Sequence, residues 1–300
     1  MMLSLLSIGE VMAEIRKVEG ADFRLGFAGD TYNTAVYCSR AFNVPNRIGY
    51  MTRIGNDPLS RPFVQNAQTE GLNTEFVEFS QSRNIGIYTV EIDHAGERSF
   101  SYWRQNSATR GLFSSSGGIV SISKAQITYL SGITLAILAP KVGKKLLQAL
   151  RKLKQTGDSS IAFDSNYRHQ LWESAKVARA VISEMWEISD IALPSIDDEM
   201  ALFGQARESD VVDRFAAMNF KACAIKRGQR GLISVGLDLA DHPDFPPAHK
   251  VIDTTAAGDS FNGAYLAAML QGKDEAERLR AGHELASKVV GVRGGIAPRS

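Results

Sequence analysis

Residues 253–265 have the sequence DTTAAGDSFNGAY, and this stretch is the most informative part of the chain for its fold. Small residues up to Gly258 leave backbone N–H groups uncovered, and the carboxylate of Asp259 follows them directly. An amphipathic helical pattern then begins and ends at Gly272. Free amides and the positive end of a helix dipole both favour an anion, so the stretch predicts a phosphate cradle. The alternative is a plain loop–helix junction with small packing residues.

Asp259 carries the chemistry that this cradle would serve. It lies in the first turn of the predicted helix, where the helix dipole favours the ionised carboxylate. An ionised carboxylate beside a phosphate site is suited to take a proton from an attacking hydroxyl. We therefore interpret Asp259 as a candidate catalytic base.

Short apolar runs alternate with helical patterns along most of the chain. Such alternation is typical of a doubly wound, mostly parallel sheet with helices on both faces. The predicted buried strands are residues 3–8, 127–131, 160–163, 188–193, 222–225 and 232–235. The predicted helices are residues 31–42, 58–70, 141–155, 174–187, 209–218 and 281–290.

Two stretches, residues 11–27 and 85–104, break this alternation. Both follow a period of two, with polar and charged residues on one side. They predict a small, half-exposed sheet beside the main domain. A pair of edge hairpins with no role in binding is the alternative.

Composition and charge limit the classes of partner. Basic residues number 34 and acidic residues 33, and a net charge of +1 argues against a nucleic-acid partner bound through bulk charge. No apolar stretch approaches the length of a membrane span, and residues 1–8 lack the basic region of a signal peptide. The two cysteines, Cys38 and Cys223, have apolar surroundings typical of core residues in a reducing compartment. We therefore expect a cytoplasmic protein without a membrane or nucleic-acid partner.

Polar residues recur where predicted strands end or helices begin. Gly29 would let a ligand approach the backbone, and Asp30 and Asn33 offer hydrogen-bonding groups, although a capped helix start is the alternative. Residues 164–172, DSNYRHQLW, close a predicted strand, and ligands bind at that edge of open α/β sheets. Residues 226–231, KRGQRG, predict a tight turn between two strands. The chain has no Walker A sequence, which argues against a P-loop kinase.

Tyr102 and Arg104 lie two residues apart in a strand pattern, so both point to one face. A guanidinium can hold a planar carboxylate through two parallel hydrogen bonds, which a neutral sugar does not need. An exposed strand arginine beside a packed tyrosine is the alternative.

Residues 253–259 resemble the C-terminal D-T-x-G-A-G-D signature of the ribokinase (PfkB-type carbohydrate kinase) family, with Ala256 in place of one glycine. That replacement matters if the position requires a positive φ, which alanine adopts poorly. Residues 28–35, AGDTYNTA, resemble the family's first signature, with Ala28 in place of the first glycine. The motifs follow the family order along essentially the whole chain. The resemblance implies one ribokinase-like kinase domain over residues 1–300, with a lid from segments at about 11–27 and 85–110.

Further elements are similar to the 2-keto-3-deoxygluconate kinases within the family. The resemblance implies ATP-dependent phosphorylation of the terminal hydroxyl of 2-keto-3-deoxygluconate to give 2-keto-3-deoxy-6-phosphogluconate, with Mg²⁺ sharing the charge. Asp259 would be the base, and the amides of Ala256, Ala257 and Gly258 would hold the transferring phosphoryl group. The implied sugar-acid site consists of Gly29, Asp30, Asn33, Tyr88, Tyr102, Arg104, Arg168 and Asp259.

The resemblance also implies a nucleotide site. Residues 194–199, PSIDDE, align with a Pro-Asn-x-x-Glu element that helps to place magnesium and phosphates. Ser195 replaces the Asn, and Asp198 replaces the Glu and would act on Mg²⁺ through water. A capped, acidic helix start is the alternative. The implied nucleotide-binding residues are Asn166, Arg168, Ser195, Lys226, Gly228, Gly231, Ala256, Ala257, Gly258 and His283.

Two other functions stay open. One is another ribokinase-type kinase, such as a fructokinase, ribokinase or nucleoside kinase, and the other is a catalytically idle sugar-binding regulator. The sequence also leaves open whether a monovalent cation assists. Exposed lid strands often pair between subunits, so we expect a homo-oligomer assembled through the lid strands.

Overall fold

The structure is a computed structural model that describes residues 2–17, 22–92, 98–114, 119, 122, 125–238 and 242–299. Its strands form a nine-stranded central sheet and a separate four-stranded sheet. In chain order they are β1 (Leu3–Ile8), β2 (Met12–Lys17), β3 (Phe23–Ala28), β4 (Ile48–Ile54), β5 (Leu72–Asn73), β6 (Val77–Phe79), β7 (Gly86–Ile92), β8 (Arg98–Trp103), β9 (Ala125–Ser131), β10 (Ser160–Asp164), β11 (Ile191–Ala192), β12 (Ala222–Lys226) and β13 (Leu232–Ser234).

The helices have recognisable end signals. Pro140 begins one helix and Gly157 ends it in the left-handed conformation. Asp274 and Glu277 form a capping box at the start of the last helix. The helices are α1 (Asp30–Phe42), α2 (Arg61–Thr69), α3 (Gly132–Ile137), α4 (Pro140–Thr156), α5 (Ala175–Ile188), α6 (Ile196–Phe203), α7 (Glu208–Ala216), α8 (Ala257–Leu270) and α9 (Glu275–Val289).

The central sheet has the strand order β13-β12-β11-β10-β9-β1-β4-β5, with β6 also paired to β4. Its pairings are parallel except that of β12 with β13, which is antiparallel. The carboxyl ends of the parallel strands therefore meet at one edge, where ligands bind in open α/β sheets.

Helices cover both faces of this sheet. Successive residues of a strand point to opposite faces, so each strand packs against both helix layers. In β10, Phe163 belongs to the apolar cluster that includes residues of α4 to α7, whereas Ala162 belongs to the cluster with α1, α2, α8 and α9. Phe163 packs edge-on against the buried Trp186 of α5, with ring centroids 4.6 Å apart. Burial of each such aromatic side chain contributes about 2–3 kcal/mol.

The four-stranded sheet, which we call the lid sheet, has the order β3-β2-β7-β8. Two antiparallel hairpins, β2–β3 and β7–β8, are joined by the parallel pairing of β2 with β7. On one face, the ring centroids of Tyr88 and Tyr102 lie 5.9 Å apart. On the other face, Phe23 of β3 and Trp103 of β8 are 63% and 58% exposed.

The structure confirms the predicted doubly wound α/β fold with a small separate sheet. The predicted strand 188–193 was too long, because α5 continues to Ile188 and only Ile191–Ala192 pair as a strand. Strand β4 was not predicted from the sequence, because Gly49 and Arg53 interrupt its apolar pattern although most of the strand is buried.

Two further observations concern the cysteines and the helices. Cys38 and Cys223 are both buried and unbonded, as expected of core residues. In the described part of the chain, no helix combines the length and apolarity that a membrane crossing requires.

Candidate active site

The loop before α8 is held by the buried carboxylate of Asp253. Its Oδ1 accepts a hydrogen bond from the amide of Thr255 at 2.8 Å, and its Oδ2 accepts one from the amide of Gly294 at 2.7 Å. The loop therefore has a fixed path into the first turn of α8.

Ala256 lies at the N-cap of α8 with φ 61° and ψ 15°, which is the left-handed conformation. The position thus requires a positive φ, and alanine adopts it at a cost of about 1 kcal/mol relative to glycine. The replacement of the signature glycine therefore strains the backbone locally while the helix start is retained.

The first turn of α8 offers amides to a ligand. The amide of Ala257 donates to the carbonyl of Thr254 at 3.2 Å, and that of Ser260 donates to Ala256 at 2.8 Å. Between them, the amides of Gly258 and Asp259 have no backbone acceptor within the described residues. Of the three amides predicted for the cradle, that of Ala257 is therefore paired within the protein, whereas that of Gly258 is open to an anion together with the amide of Asp259.

Asp259 is partly buried and faces α1. Its Oδ2 accepts a hydrogen bond from Nδ2 of Asn33 at 2.8 Å, and its carbonyl accepts one from Thr34 Oγ1 at 3.3 Å. Burial and, second to it, the charge of the nearby Asp30 raise the pKa of Asp259 to about 7, against the opposing effect of the Asn33 hydrogen bond. A carboxylate with a pKa near neutrality is suited to general base catalysis.

Gly29 precedes α1 and allows a close backbone approach. A Cβ at this position would lie 2.1 Å from the carbonyl oxygen of Glu10, so no larger residue fits. The amide of Gly29 also donates to Oδ1 of Asn33 at 3.4 Å, which helps to orient the Asn33 side chain towards Asp259.

A buried polar cluster lies beneath the cradle. Lys226 Nζ contacts Asp164 Oδ2 at 2.6 Å and Asn262 Oδ1 at 2.9 Å, and Asn262 Nδ2 donates to the same Asp164 oxygen at 2.7 Å. A Cβ on Gly258 would lie 3.7 Å from Lys226 Nζ. The ammonium of Lys226, predicted to contact the nucleotide, is thus paired inside the protein and adds positive charge under Gly258. Asp164 and Asn262, which complete this cluster, were not predicted as site residues from the sequence.

Asn166 and Asp30, predicted for different ligands, contact each other. Asn166 Nδ2 donates to Asp30 Oδ2 at 2.8 Å, and Ser131 Oγ donates to the same oxygen. The amide of Asn166 donates to Asp164 Oδ1 at 3.1 Å, at the carboxyl end of β10. The structure therefore brings these two predicted residues into one hydrogen-bonded group at the edge of the sheet.

Arg168 and Asp198 lie at the same edge. The half-exposed Arg168 has its Nη1 3.4 Å from Asp198 Oδ1. Burial raises the pKa of Asp198 to about 6, and the charge of Arg168 opposes this shift.

Ser195 is the N-cap residue of α6 without a side-chain capping bond, so its side chain is not used in that role. The next acid, Glu199, is fully buried and bound to Arg214 at 2.7 Å.

The donor set limits how a magnesium ion can be held. Among the described residues, no group of three or more His, Cys, Asp or Glu side chains could hold a metal ion. Mg²⁺ usually keeps several waters and takes one or two carboxylates together with substrate phosphates. The single carboxylate of Asp198, beside Arg168, fits that mode.

The lid sheet contributes Tyr88 and Tyr102, and Arg104 follows directly after β8. Tyr88 is buried and donates to Glu14, whereas Tyr102 is 46% exposed. Arg104 is buried in an ion pair with Glu10, and its guanidinium carbon lies 6.0 Å from the centre of the Tyr102 ring. Of these three side chains, Tyr88 and Arg104 therefore already have acidic partners, which no sequence motif indicated.

Phe245, a residue without a sequence motif, connects the predicted nucleotide residues Gly231 and His283. Its ring centroid lies 5.2 Å from that of His283, and a Cβ on Gly231 would approach it to 3.2 Å. Gly228 and Gly231 have φ values of +58° and +82°, which the tight turn after β12 requires. The turn and α9 therefore meet at Phe245.

Comparison with known proteins adds independent information. The sequence model described as "pfkB family carbohydrate kinase" matches residues 2–300. The chain is 39% identical over 299 residues to 2-dehydro-3-deoxygluconokinase of Escherichia coli K12, covering 97% of this chain and 96% of that relative. It is 32% identical over 295 residues to the protein of the same name from Haemophilus influenzae, covering 96% and 94%.

Solved structures agree on the fold. The 2-dehydro-3-deoxygluconokinase of Thermotoga maritima aligns with a TM-score of 0.76 at 20% identity, covering 98% of this chain and 96% of that one. A candidate ribokinase II from E. coli, solved with ATP and Mg²⁺, aligns with a TM-score of 0.81 at 21% identity, covering 98% and 94%. The family model spans almost the whole chain and the fold is shared. The chain therefore belongs to the pfkB family of carbohydrate kinases.

Proposed function

We propose that this chain is an ATP- and Mg²⁺-dependent 2-keto-3-deoxygluconate (2-dehydro-3-deoxygluconate) kinase that phosphorylates the terminal hydroxyl of this sugar acid. The product is 2-keto-3-deoxy-6-phosphogluconate. The observation that carries the proposal is the 39% identity to the E. coli 2-dehydro-3-deoxygluconokinase over 97% of the chain. The geometry at the start of α8 supports the same reaction.

Asp259 acts as the base in this proposal. Its carboxylate lies in the first turn of α8, where unpaired amides and the helix dipole favour an arriving phosphoryl group. Asn33 holds one carboxylate oxygen at 2.8 Å, which leaves the other oxygen to accept the hydroxyl proton. Phosphoryl transfer depends mainly on positioning and charge stabilisation, and this arrangement supplies both.

Negative charge on the transferring group is met by the amides at the start of α8, chiefly those of Gly258 and Asp259, and also by the nearby ammonium of Lys226. A bound magnesium ion supplies further neutralisation of the ATP phosphates. Asp198 is the residue that would hold it through water, with Arg168 near the phosphates.

Gly29, Asp30 and Asn33 hold the sugar hydroxyls, and the lid residues hold the acid end. Arg104 and Arg168 are cations suited to a carboxylate, and Tyr88 and Tyr102 line the same side of the lid sheet. Movement of the lid over the substrate would exclude water and limit ATP hydrolysis. The aromatic rings of Phe245 and His283, which lie beside Gly231, would border the nucleotide.

A coupled assay of ADP release tests this proposal. The panel contains 2-keto-3-deoxygluconate, gluconate, fructose, ribose and a nucleoside, each with Mg²⁺ and with either K⁺ or Na⁺. We expect the highest kcat/KM with 2-keto-3-deoxygluconate. A preference for fructose, ribose or the nucleoside would assign another kinase of the family, and no ADP release with any substrate would favour a sugar-binding regulator. The K⁺ and Na⁺ arms test the open question of a monovalent cation.

We also propose a homo-oligomer assembled through the lid sheet. The face opposite Tyr102 exposes Phe23, Leu25 and Trp103, and β3 and β8 are the edge strands. Exposed apolar side chains beside unpaired strand edges suit pairing with a second copy. Light scattering after size exclusion should give a mass above 32.7 kDa for the wild type and a lower mass for Trp103→Ser.

A further inference from the structure

Glu10 is a buried acid in the short link between β1 and β2. It is 2% exposed, and its side chain contacts two residues of the segment that directly follows β8. Ser107 Oγ donates to its Oε1, and Arg104 Nη2 forms an ion pair with its Oε2. Glu10 therefore joins the first strand of the central sheet to the lid.

Glu10 lies at the base of the lid sheet. The carbonyl oxygen of Glu10 excludes any Cβ at Gly29, directly after β3. A Cβ on Gly86, the first residue of β7, would lie 3.2 Å from Glu10 Oε1 and 3.4 Å from the Cβ of Arg104. Both hairpins of the lid thus begin or end against this one residue.

The buried pair of Glu10 and Arg104 is stable only when both charges are present. Burial raises the pKa of Glu10, and the charge of Arg104 opposes that shift. A buried charge whose partner is removed is strongly unfavourable, so each member fixes the other. A guanidinium has five N–H donors, whereas the ion pair with Glu10 engages Nη2, and the buried Nε has no hydrogen-bond partner among the described residues. One carboxylate partner therefore leaves Arg104 with further donors, and the exposed tenth of its side chain is where a substrate oxygen would meet them.

We propose that Glu10 is a positioning residue for sugar-acid recognition: it fixes the Arg104 guanidinium at the base of the lid, so that the remaining donors meet the substrate. This inference rests on the proposed function, because it gives Arg104 a substrate oxygen to bind. Glu10 itself contacts no substrate. Its contribution passes through Arg104 alone.

A double-mutant cycle tests the proposal. Glu10→Gln keeps the shape of the side chain and an acceptor for Ser107, but it removes the charge that holds Arg104. We expect KM for the sugar acid to rise about tenfold, with kcat and the KM for ATP within about twofold of the wild type. In the Arg104→Ala background, Glu10→Gln should cause no further rise in KM. Sugar-acid binding by calorimetry provides the same comparison without turnover.

A matched control is available in the Glu199–Arg214 pair of α6 and α7. Glu199 is also a fully buried acid paired with an arginine, but Arg214 has no proposed substrate contact. Glu199→Gln should therefore lower the melting temperature without a change in the sugar-acid KM. The difference between the two variants separates positioning of Arg104 from general loss of a buried ion pair.

Several results would overturn the proposal. These are an unchanged KM in Glu10→Gln, an equal rise in KM in the Arg104→Ala background, or failure of Glu10→Gln to fold while Arg104→Ala folds. All measurements use whichever sugar acid the wild-type enzyme phosphorylates. A wild type that prefers another substrate would contradict the proposed function, whereas loss of coupling between Glu10 and Arg104 would contradict only this inference.

Discussion

The two halves of the candidate site are built differently. At the edge of the central sheet, Asp164, Lys226 and Asn262 are buried and bonded to one another at 2.6–2.9 Å. In the lid sheet, Tyr102 and Trp103 are 46% and 58% exposed. The first region is complete within the subunit, whereas the second has surface that a substrate or another subunit can still cover.

Under the proposed function, the two regions would have separate tasks. Groups that act on a reacting phosphoryl must be held rigidly before the reaction, because stabilisation of charge depends on fixed dipoles. Groups that select a substrate can instead become covered when the lid closes. Substitutions in the central region should therefore change turnover, and substitutions in the lid should change affinity for the sugar acid.

Asp259→Asn gives the largest expected effect. The amide keeps the size of the side chain but cannot accept the hydroxyl proton, so kcat should fall by a factor on the order of 10² or more. Sugar-acid binding, measured by calorimetry, should change little. Turnover close to that of the wild type would reject the base role of Asp259.

Arg104→Ala should produce the complementary result in the lid. Loss of a charged hydrogen-bond donor should raise KM for 2-keto-3-deoxygluconate by roughly 10- to 100-fold, with a much smaller change for fructose. The KM for ATP should stay near the wild-type value. Equal losses for the acidic and the neutral sugar would contradict a carboxylate contact.

The pH dependence of kcat tests the base role of Asp259. Burial, followed by Asp30, raises the pKa of Asp259 to about 7, so kcat should fall as the pH decreases below about 7. The folded-state pKa exceeds the ordinary value of 3.8, so this group's contribution to stability is full below about pH 4 and is lost as the pH rises through 7. The melting temperature of Asp259→Asn relative to the wild type should therefore be higher at pH 8 than at pH 5. A flat rate profile between pH 5.5 and 8 would contradict a titrating base.

Ala256→Gly gives the smallest expected effect. Glycine accepts the left-handed conformation of this residue without strain, so the free energy of unfolding should rise by about 0.5–1 kcal/mol. Denaturant unfolding measures this change, and kcat provides the test of the cradle. An increase in kcat greater than about threefold would mean that Ala256 distorts the cradle as well as straining it.

Much of the fold could be predicted because local patterns carry it. Small residues, one acid and a helical period defined the start of α8, and apolar runs defined most of the parallel strands. The pattern failed where helix and strand abut, as at Ile188, because an apolar residue suits either element. It also failed at β4, where burial comes from neighbouring strands rather than from an unbroken apolar run.

The partners within the site could not be predicted in the same way. Glu10 and Arg104 form an ion pair across the base of the lid, and Lys226 and Asp164 form another beneath the cradle. Their pairing depends on how distant strands are placed side by side, which no local pattern contains. The resemblance supplied candidate residues at both places, but it did not show that Arg104 and Tyr88 already have acidic partners.

The exposure of Trp103 has an optical consequence. The chain has three tryptophans, of which Trp186 is buried and Trp172 is partly buried. Indole fluorescence shifts to shorter wavelength when water is removed from around the ring, so Trp103 is a built-in reporter of what covers the outer face of β8. A titration of protein concentration followed by emission wavelength would test the proposed homo-oligomer without any added label.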